Sequence, residues 1–141
     1  MVVDGCAIAE DFCSAYSRRD LELAGTFLAD DVIFAMHVDR TLMPFAGVTI
    51  GKAIMQRRWN AIVEQFDMPF YQLQHVVAKG NVVRSTVAYI FRHKATGEDL
   101  EGHMRHVIEL RRGLIARVNE YHDRSRVEAY FRLLAMREAI G

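Results

Sequence analysis

The sequence predicts an α+β fold, a cone-shaped, strongly bent antiparallel sheet with N-terminal helices packed on its concave face. Two observations carry this. Apolar residues recur at helical spacing in the first third of the chain, whereas from Tyr71 onward the period changes to two over four successive segments. The breaks between those segments are short and each contains glycine, so the strands should form an antiparallel meander. Helices, one strand, another helix and then a run of strands is the order of an α+β domain rather than of alternating βαβ units.

Taken in order, Ile8, Phe12, Ala15 and Tyr16 mark a first helix, and Leu21, Ala24, Phe27 and Leu28 a second that opens after Asp20, a good N-cap residue. DDVIFAMHV, 30–38, reads as a short strand. The segment 39–50, with Pro44 and Gly47, reads as a long loop. GKAIMQRRWNAIVEQF, 51–66, has the spacing of an amphipathic helix with Ile54, Trp59, Ile62, Val63 and Phe66 as core candidates, and Met68 and Pro69 should end it. The meander follows as YQLQHVVA, NVVRSTVAYIFRH, EDLEGHMRHVIEL and LIARVNEYH, broken at 79–81, 95–98 and 111–113. Asp123 and Ser125 can cap a last helix, RVEAYFRLLAMREA.

A chain of 141 residues supports one domain, 1–141, with a real core, and contains no repeat or linker. Its 18 basic side chains balance 18 acidic ones, so no general field attracts nucleic acid or an anionic membrane, and neither is an expected partner. No apolar run reaches membrane-span length, and the N-terminus lacks the basic and apolar regions of a signal peptide. Cys6 and Cys13 lie about two helical turns apart, too far to bond to each other, which predicts free thiols and a cytoplasmic setting. An antiparallel sheet with one open face can dimerise through it, and Tyr121 and Val76 are candidates for a homodimer contact.

The helix–turn phrase AYSRRDLELAGTFLADDVIF, the helix opening at Gly51-Lys52, the strand phrase LQHVVAKGNVV and the ending GLIARVNEYHD, in this order and spacing, resemble the SnoaL-like branch of the nuclear transport factor two-like superfamily over nearly the whole chain. That resemblance implies a conical, frequently dimeric fold with an apolar cavity between sheet and helices, and no metal or organic cofactor. It implies no single activity, because the superfamily holds isomerases, dehydratases, cyclases, epoxide hydrolases and non-catalytic binding proteins.

Strand alternation puts Ala116, Val118, Glu120 and His122 on one face of the last strand, and Ile115, Arg117, Asn119 and Tyr121 on the other. By resemblance the Glu120 face lines the cavity, and Glu120 is similar in position to the pocket aspartate of limonene epoxide hydrolase and of the SnoaL cyclase. A carboxylate beside Val118 and Ala116 loses solvation, which raises its pKa and suits a general acid or base. On the preceding strand the face with Met104, His106, Ile108 and Leu110 is the more apolar, so periodicity points His106 inward. Alignment of the ending with ketosteroid isomerase, an enzyme whose oxyanion hole is a standard example of pKa tuning, instead favours Arg105. A bulge could reverse either assignment. The preferred expectation places His103 and Arg105 across from Glu120 and His122, at roughly 5 Å for opposed side chains. The catalytic candidates are then Glu120, His103 and His122, with Arg105 binding an oxyanion. Arg105 could equally form a surface ion pair, and Glu120 and His122 could be surface residues of a strand end.

Tyr16 is similar in position to the substrate-binding tyrosine of scytalone dehydratase, and Phe34, Met36, Trp59 and Tyr89 complete the candidate ligand-binding set, with Met43 and Phe45 beside them. Plain core packing is the competing reading for each. His75 reads as a hydrogen-bonded structural histidine, and no histidine spacing matches a familiar metal motif. The departures from precedent are specific. Phe12 and Met36 stand where ketosteroid isomerase has its tyrosine donor and catalytic aspartate; Val87 and Tyr89 stand near the arginine–aspartate pair of limonene epoxide hydrolase; and Ser17, with Ser85 or Val87, replaces the remaining scytalone dehydratase groups. The expectation is cofactor-free isomerisation, dehydration or cyclisation of a small oxygenated hydrophobe, against two rivals, a non-catalytic binding protein and an assembly module.

Overall fold

In the computed structural model, residues 4–43 and 45–140 are described. Four helices, α1 (Gly5–Ser17), α2 (Leu21–Thr26), α3 (Lys52–Gln65) and α4 (Arg124–Ile140), accompany six strands, β1 (Leu28–His37), β2 (Gly47–Ile50), β3 (Phe66–Lys79), β4 (Val82–His93), β5 (Asp99–Arg111) and β6 (Leu114–His122). The strands form one curled, unclosed sheet in the order β2-β1-β6-β5-β4-β3, the α+β cone that the sequence predicts. The β3 to β6 segment is the expected meander, and β5 turns into β6 at Arg112-Gly113, both with positive φ. A two-residue turn of that kind matches the twist of the flanking strands.

The helix caps follow the sequence. Asp4 Oδ1 accepts from the Ala7 N–H at 3.1 Å, and Asp20 Oδ1 from the Leu23 N–H at 3.1 Å. Asp123 does the same for Arg126 at the start of α4. On α3 the buried residues are Met55, Trp59 and Ile62, which share one helical face, and Val63 is half-buried. Ile54, read as core, is instead 45% exposed; the inward phase of the first turn belongs to Met55.

Three expectations about the strands are corrected. Residues 47–50, read as loop, form β2, which pairs antiparallel with β1 and puts Thr49 opposite Phe34. Pro44, expected in the same loop, lies outside the described residues. Strand β3 begins at Phe66 directly after α3, so Met68 and Pro69 lie within a strand rather than ending a helix. Proline is tolerated there because β3 is a sheet edge and the register with β4 shifts between Asp67 and Phe70. Finally, β1 pairs parallel with β6, so the sheet is mixed at its centre.

A register shift in the β5–β6 hairpin decides which side chains meet. Arg111 pairs with Leu114 and Leu110 with Ile115, but Glu109 pairs with Arg117, so Ala116 is an extra residue in β6. Ile115, expected on the outer face, is consequently buried in the core together with Val118. Beyond the bulge His106 stands opposite Glu120, and Arg105 opposite Tyr121.

Helices α1 and α3 pack on the concave side, where Ala9, Tyr16, Trp59, Val83 and Ile108 belong to one core cluster. Val127, Tyr130 and Leu134 bring α4 into a second with Met36, Tyr89 and Met104. The convex side carries Tyr121, 40% exposed, with the His37 ring stacked on it at 4.5 Å between centroids. Val76, expected on that outer surface, packs half-buried against the core, because the β3–β4 register shifts between Leu73 and His75; its neighbour Val77 is the exposed one.

Candidate active site

The row Met36, Glu120, His106, Ser85 runs across β1, β6, β5 and β4 at one level of the concave face. Glu120 is its only acid, and its side chain is nearly inaccessible to solvent. Its Oε1 lies 2.7 Å from His106 Nε2 and its Oε2 2.8 Å from His122 Nε2. His122 is two residues further along β6 on the same face, and its Nδ1 lies 3.1 Å from the Tyr89 hydroxyl. The three bonds form one consistent chain when Glu120 is ionised: both imidazoles donate from Nε2, and Tyr89 donates to His122 Nδ1.

Gly102 leaves room for the third bond. Tyr89 on β4 pairs with Gly102 on β5, and a methyl group at Gly102 would meet the Tyr89 hydroxyl at 3.2 Å and its ring at 3.4 Å. With only hydrogen at that position the phenol passes across β5 to reach His122 on β6. Glycine inside a strand marks such close approaches.

The electrostatics follow from the same geometry. Burial opposes ionisation of Glu120, but hydrogen bonds from His106 and His122, together with their charge, outweigh it and hold the carboxyl well below its usual 4.5. The expected upward shift is therefore corrected; it assumed an unpartnered carboxylate among apolar neighbours. The Tyr89 phenol moves the other way, raised by burial first and then by the Glu120 charge. It is thus a hydrogen-bond donor rather than a source of protons.

These four polar residues open onto a pocket of about 80 Å³ whose other walls are apolar. Tyr16, Phe34, Met36 and Trp59 line it, as do Met43 and Phe45 from the 38–46 segment and Val127, Tyr130 and Phe131 from α4. Tyr16 sits in an aromatic group with Phe12, Trp59 and Tyr71. Its ring is buried, and among the described residues its hydroxyl makes no hydrogen bond. Beside it, the buried Cys13 thiol is pushed up to about 12 by burial, in spite of a hydrogen bond with Tyr71. Cys6 and Cys13 are both free.

The placement of His103 and Arg105 is a correction. Both are exposed on the convex face, where Arg105 pairs with Thr86 and His103 with Ala88, so neither reaches the pocket. His106 takes the place opposite Glu120, as the more apolar alternation of β5 indicated. His75 is likewise exposed and among the described residues forms no hydrogen bond, contrary to its structural reading. Among the described residues no cluster of histidine, cysteine or carboxylate side chains could hold a metal ion, and no helix is long and apolar enough to cross a membrane.

A curled, unclosed six-stranded sheet with helices against its concave face is the nuclear transport factor two-like cone. The chain belongs to the SnoaL-like domain family, whose sequence profile matches residues 9–118. No curated protein matches it. Among solved structures it is similar to a nuclear transport factor two-like protein of Burkholderia xenovorans, with 23% identity, a TM-score of 0.71, and 83% of this chain and 87% of that one covered. It is also similar to an LEH-like epoxide hydrolase of M. tuberculosis, at 14% identity and a TM-score of 0.69, covering 84% and 81%. A third neighbour is TerC, crystallised with polyporic acid, at 14% identity and a TM-score of 0.74, covering 83% and 89%. At these identities the likeness carries the fold.

Proposed function

We propose that the protein binds a small, largely apolar molecule bearing an oxygen function and moves a proton on it without a cofactor, in an isomerisation, dehydration or cyclisation. The observation that carries this reading is the Glu120 carboxylate, buried with two histidines in an otherwise apolar pocket. Charge and imidazole in a low-dielectric site are what proton transfer near neutral pH requires. With Arg105 outside the pocket, Tyr16 is the donor for the ligand's oxygen, because it lines the pocket and its hydroxyl makes no hydrogen bond among the described residues. Phe34, Met36 and Trp59, with the ring of Tyr89, form the apolar walls. The pocket is narrow, and Met36, Met43, Met55 and Met104 are the flexible side chains in its wall that can make room for a ligand.

A second reading, binding without turnover, draws on the same cluster: Tyr89, His122, Glu120 and His106 satisfy one another and could serve only to shape the pocket. Native mass spectrometry of the purified protein, followed by extraction and identification of any retained small molecule, supplies the compound to assay. Turnover that Glu120→Gln abolishes supports catalysis. Unchanged turnover in that variant refutes it, and tight binding with no turnover favours the carrier. We also propose a homodimer through the convex face, on Tyr121, His37 and Val77, tested by light scattering at micromolar concentration; a monomer refutes it. The free thiols fit a cytoplasmic setting.

A further inference from the structure

We propose that His106, through Nδ1, and not Glu120, is the proton acceptor of this pocket, and that Tyr89 is the positioning residue that fixes the arrangement. The inference rests on the acid/base reading above and assigns the atoms within it. Each polar atom of the cluster can be followed. Both Glu120 oxygens accept a short hydrogen bond, one from each imidazole. His122 is engaged at both nitrogens, by Glu120 and by Tyr89. His106 is engaged at Nε2 alone, and among the described residues Nδ1 has no partner. Its ring stands edge-on to Phe34 in the pocket wall. A neutral imidazole that donates from Nε2 holds its lone pair at Nδ1, so this is the free basic atom of the cluster.

Tyr89 acts at one remove. A phenol donating to His122 Nδ1 obliges that ring to carry its proton at Nε2 and to point it at Glu120 Oε2. The carboxylate, already bonded to two donors, is then a poor proton acceptor and stays anionic, which orients His106 and balances the positive charge that His106 acquires. In the step itself a C–H bond next to the ligand's carbonyl breaks, its proton bonds to His106 Nδ1, its electron pair forms a carbon–carbon double bond, and the carbonyl π pair moves onto the oxygen, where the Tyr16 hydroxyl donates. The imidazolium then delivers a proton, the one it took or one exchanged with solvent, to the same carbon or to a second one, and the charges are restored.

The test is nitrogen-15 NMR of the histidine side chains over a pH titration, with carboxyl carbon-13 detection of Glu120, on the full chain and on Tyr89→Phe. The expected result is a neutral His106 protonated at Nε2, Glu120 still ionised while the imidazoles take up protons, and a His122 that becomes a tautomer mixture in Tyr89→Phe. A His106 proton at Nδ1, a Glu120 that protonates before the imidazoles, or a His122 unmoved by Tyr89→Phe overturns the proposal. Proton–deuterium exchange at the α carbons of 2-tetralone in D2O supplies the chemical readout. His106→Gln should lower the protein-dependent rate about a hundredfold, and Tyr89→Phe several-fold with an altered pH profile. Retained exchange in His106→Gln overturns the assignment. No exchange by the wild type, with the expected NMR result, counts against the acid/base reading for such ketones while the identity of the proton acceptor stands.

Discussion

Along β5, Met104, His106 and Ile108 point into the concave side of the sheet, whereas His103, Arg105 and Val107, each one residue out of phase, stand on the convex side. Both faces carry a histidine, yet the inner one touches a carboxylate at 2.7 Å and a phenylalanine edge, and the outer one is exposed. The comparison teaches that residue type does not make a site on a sheet. What makes it is the register of the next strand, which determines whether a polar side chain meets a partner away from water.

The contrast is broken most severely by removing the hub. Glu120→Ala leaves two buried imidazole N–H groups without an acceptor and should cost about 2–3 kcal/mol in urea unfolding. If it cost no more than an exposed substitution, the buried cluster would have no structural weight. Acid sharpens the same point. The folded pKa of Glu120 lies below the unfolded value of 4.5, so its contribution to stability is complete above about that pH and is lost as pH falls through the range beneath it. Thermal unfolding of the wild type should therefore fall steeply below pH 4.5, and Glu120→Gln should lack that part of the decline; parallel curves contradict the assignment. A smaller effect is expected at Gly102→Ala, whose methyl group displaces the Tyr89 hydroxyl from His122. We expect a loss of about 1 kcal/mol and a shifted His122 ring signal, whereas an unmoved signal means that the bond survives. Smallest of all, His103→Ala and Arg105→Ala on the outer face should each stay within about 0.5 kcal/mol of wild type. A larger change in either would place it in a contact, such as the proposed dimer.

Much of this architecture is legible in the sequence. Caps at Asp20 and Asp123 and the glycine-bearing turns are local signals that sit where their chemistry requires, and the switch of period marks the meander although its first strand already begins at Phe66. The site was only half legible for a reason that one residue explains. Counting back from the turn at Arg112-Gly113 without interruption sets Arg105 opposite Glu120. The bulge at Ala116 adds one residue to β6, reverses the phase and substitutes His106. Nothing in LIARVNEYH announces a bulge, since alanine is acceptable in either conformation. The apolar alternation of Met104, His106, Ile108 and Leu110 was the signal that pointed to the right face, because burial acts on the whole strand rather than on one pair. Strand β2 and the β1–β6 pairing were not legible, being four residues long in one case and wholly long-range in the other.

The parallel contact of β1 with β6 also sets when the pocket can exist. His37 and Asn119, joined across those strands, are 82 residues apart in the chain, and Met36 meets Glu120 beside them. Pairings of that span form against a large loss of chain freedom and come late in folding. During synthesis β1 must wait for β6, so its central edge stays unpaired through most of translation, and the strand that brings Glu120 and His122 to His106 is also the one that joins β1 and β2 to the other three strands. A nascent chain stalled before β6 would carry Tyr89 and His106 without Glu120 and His122, and so would lack the polar cluster.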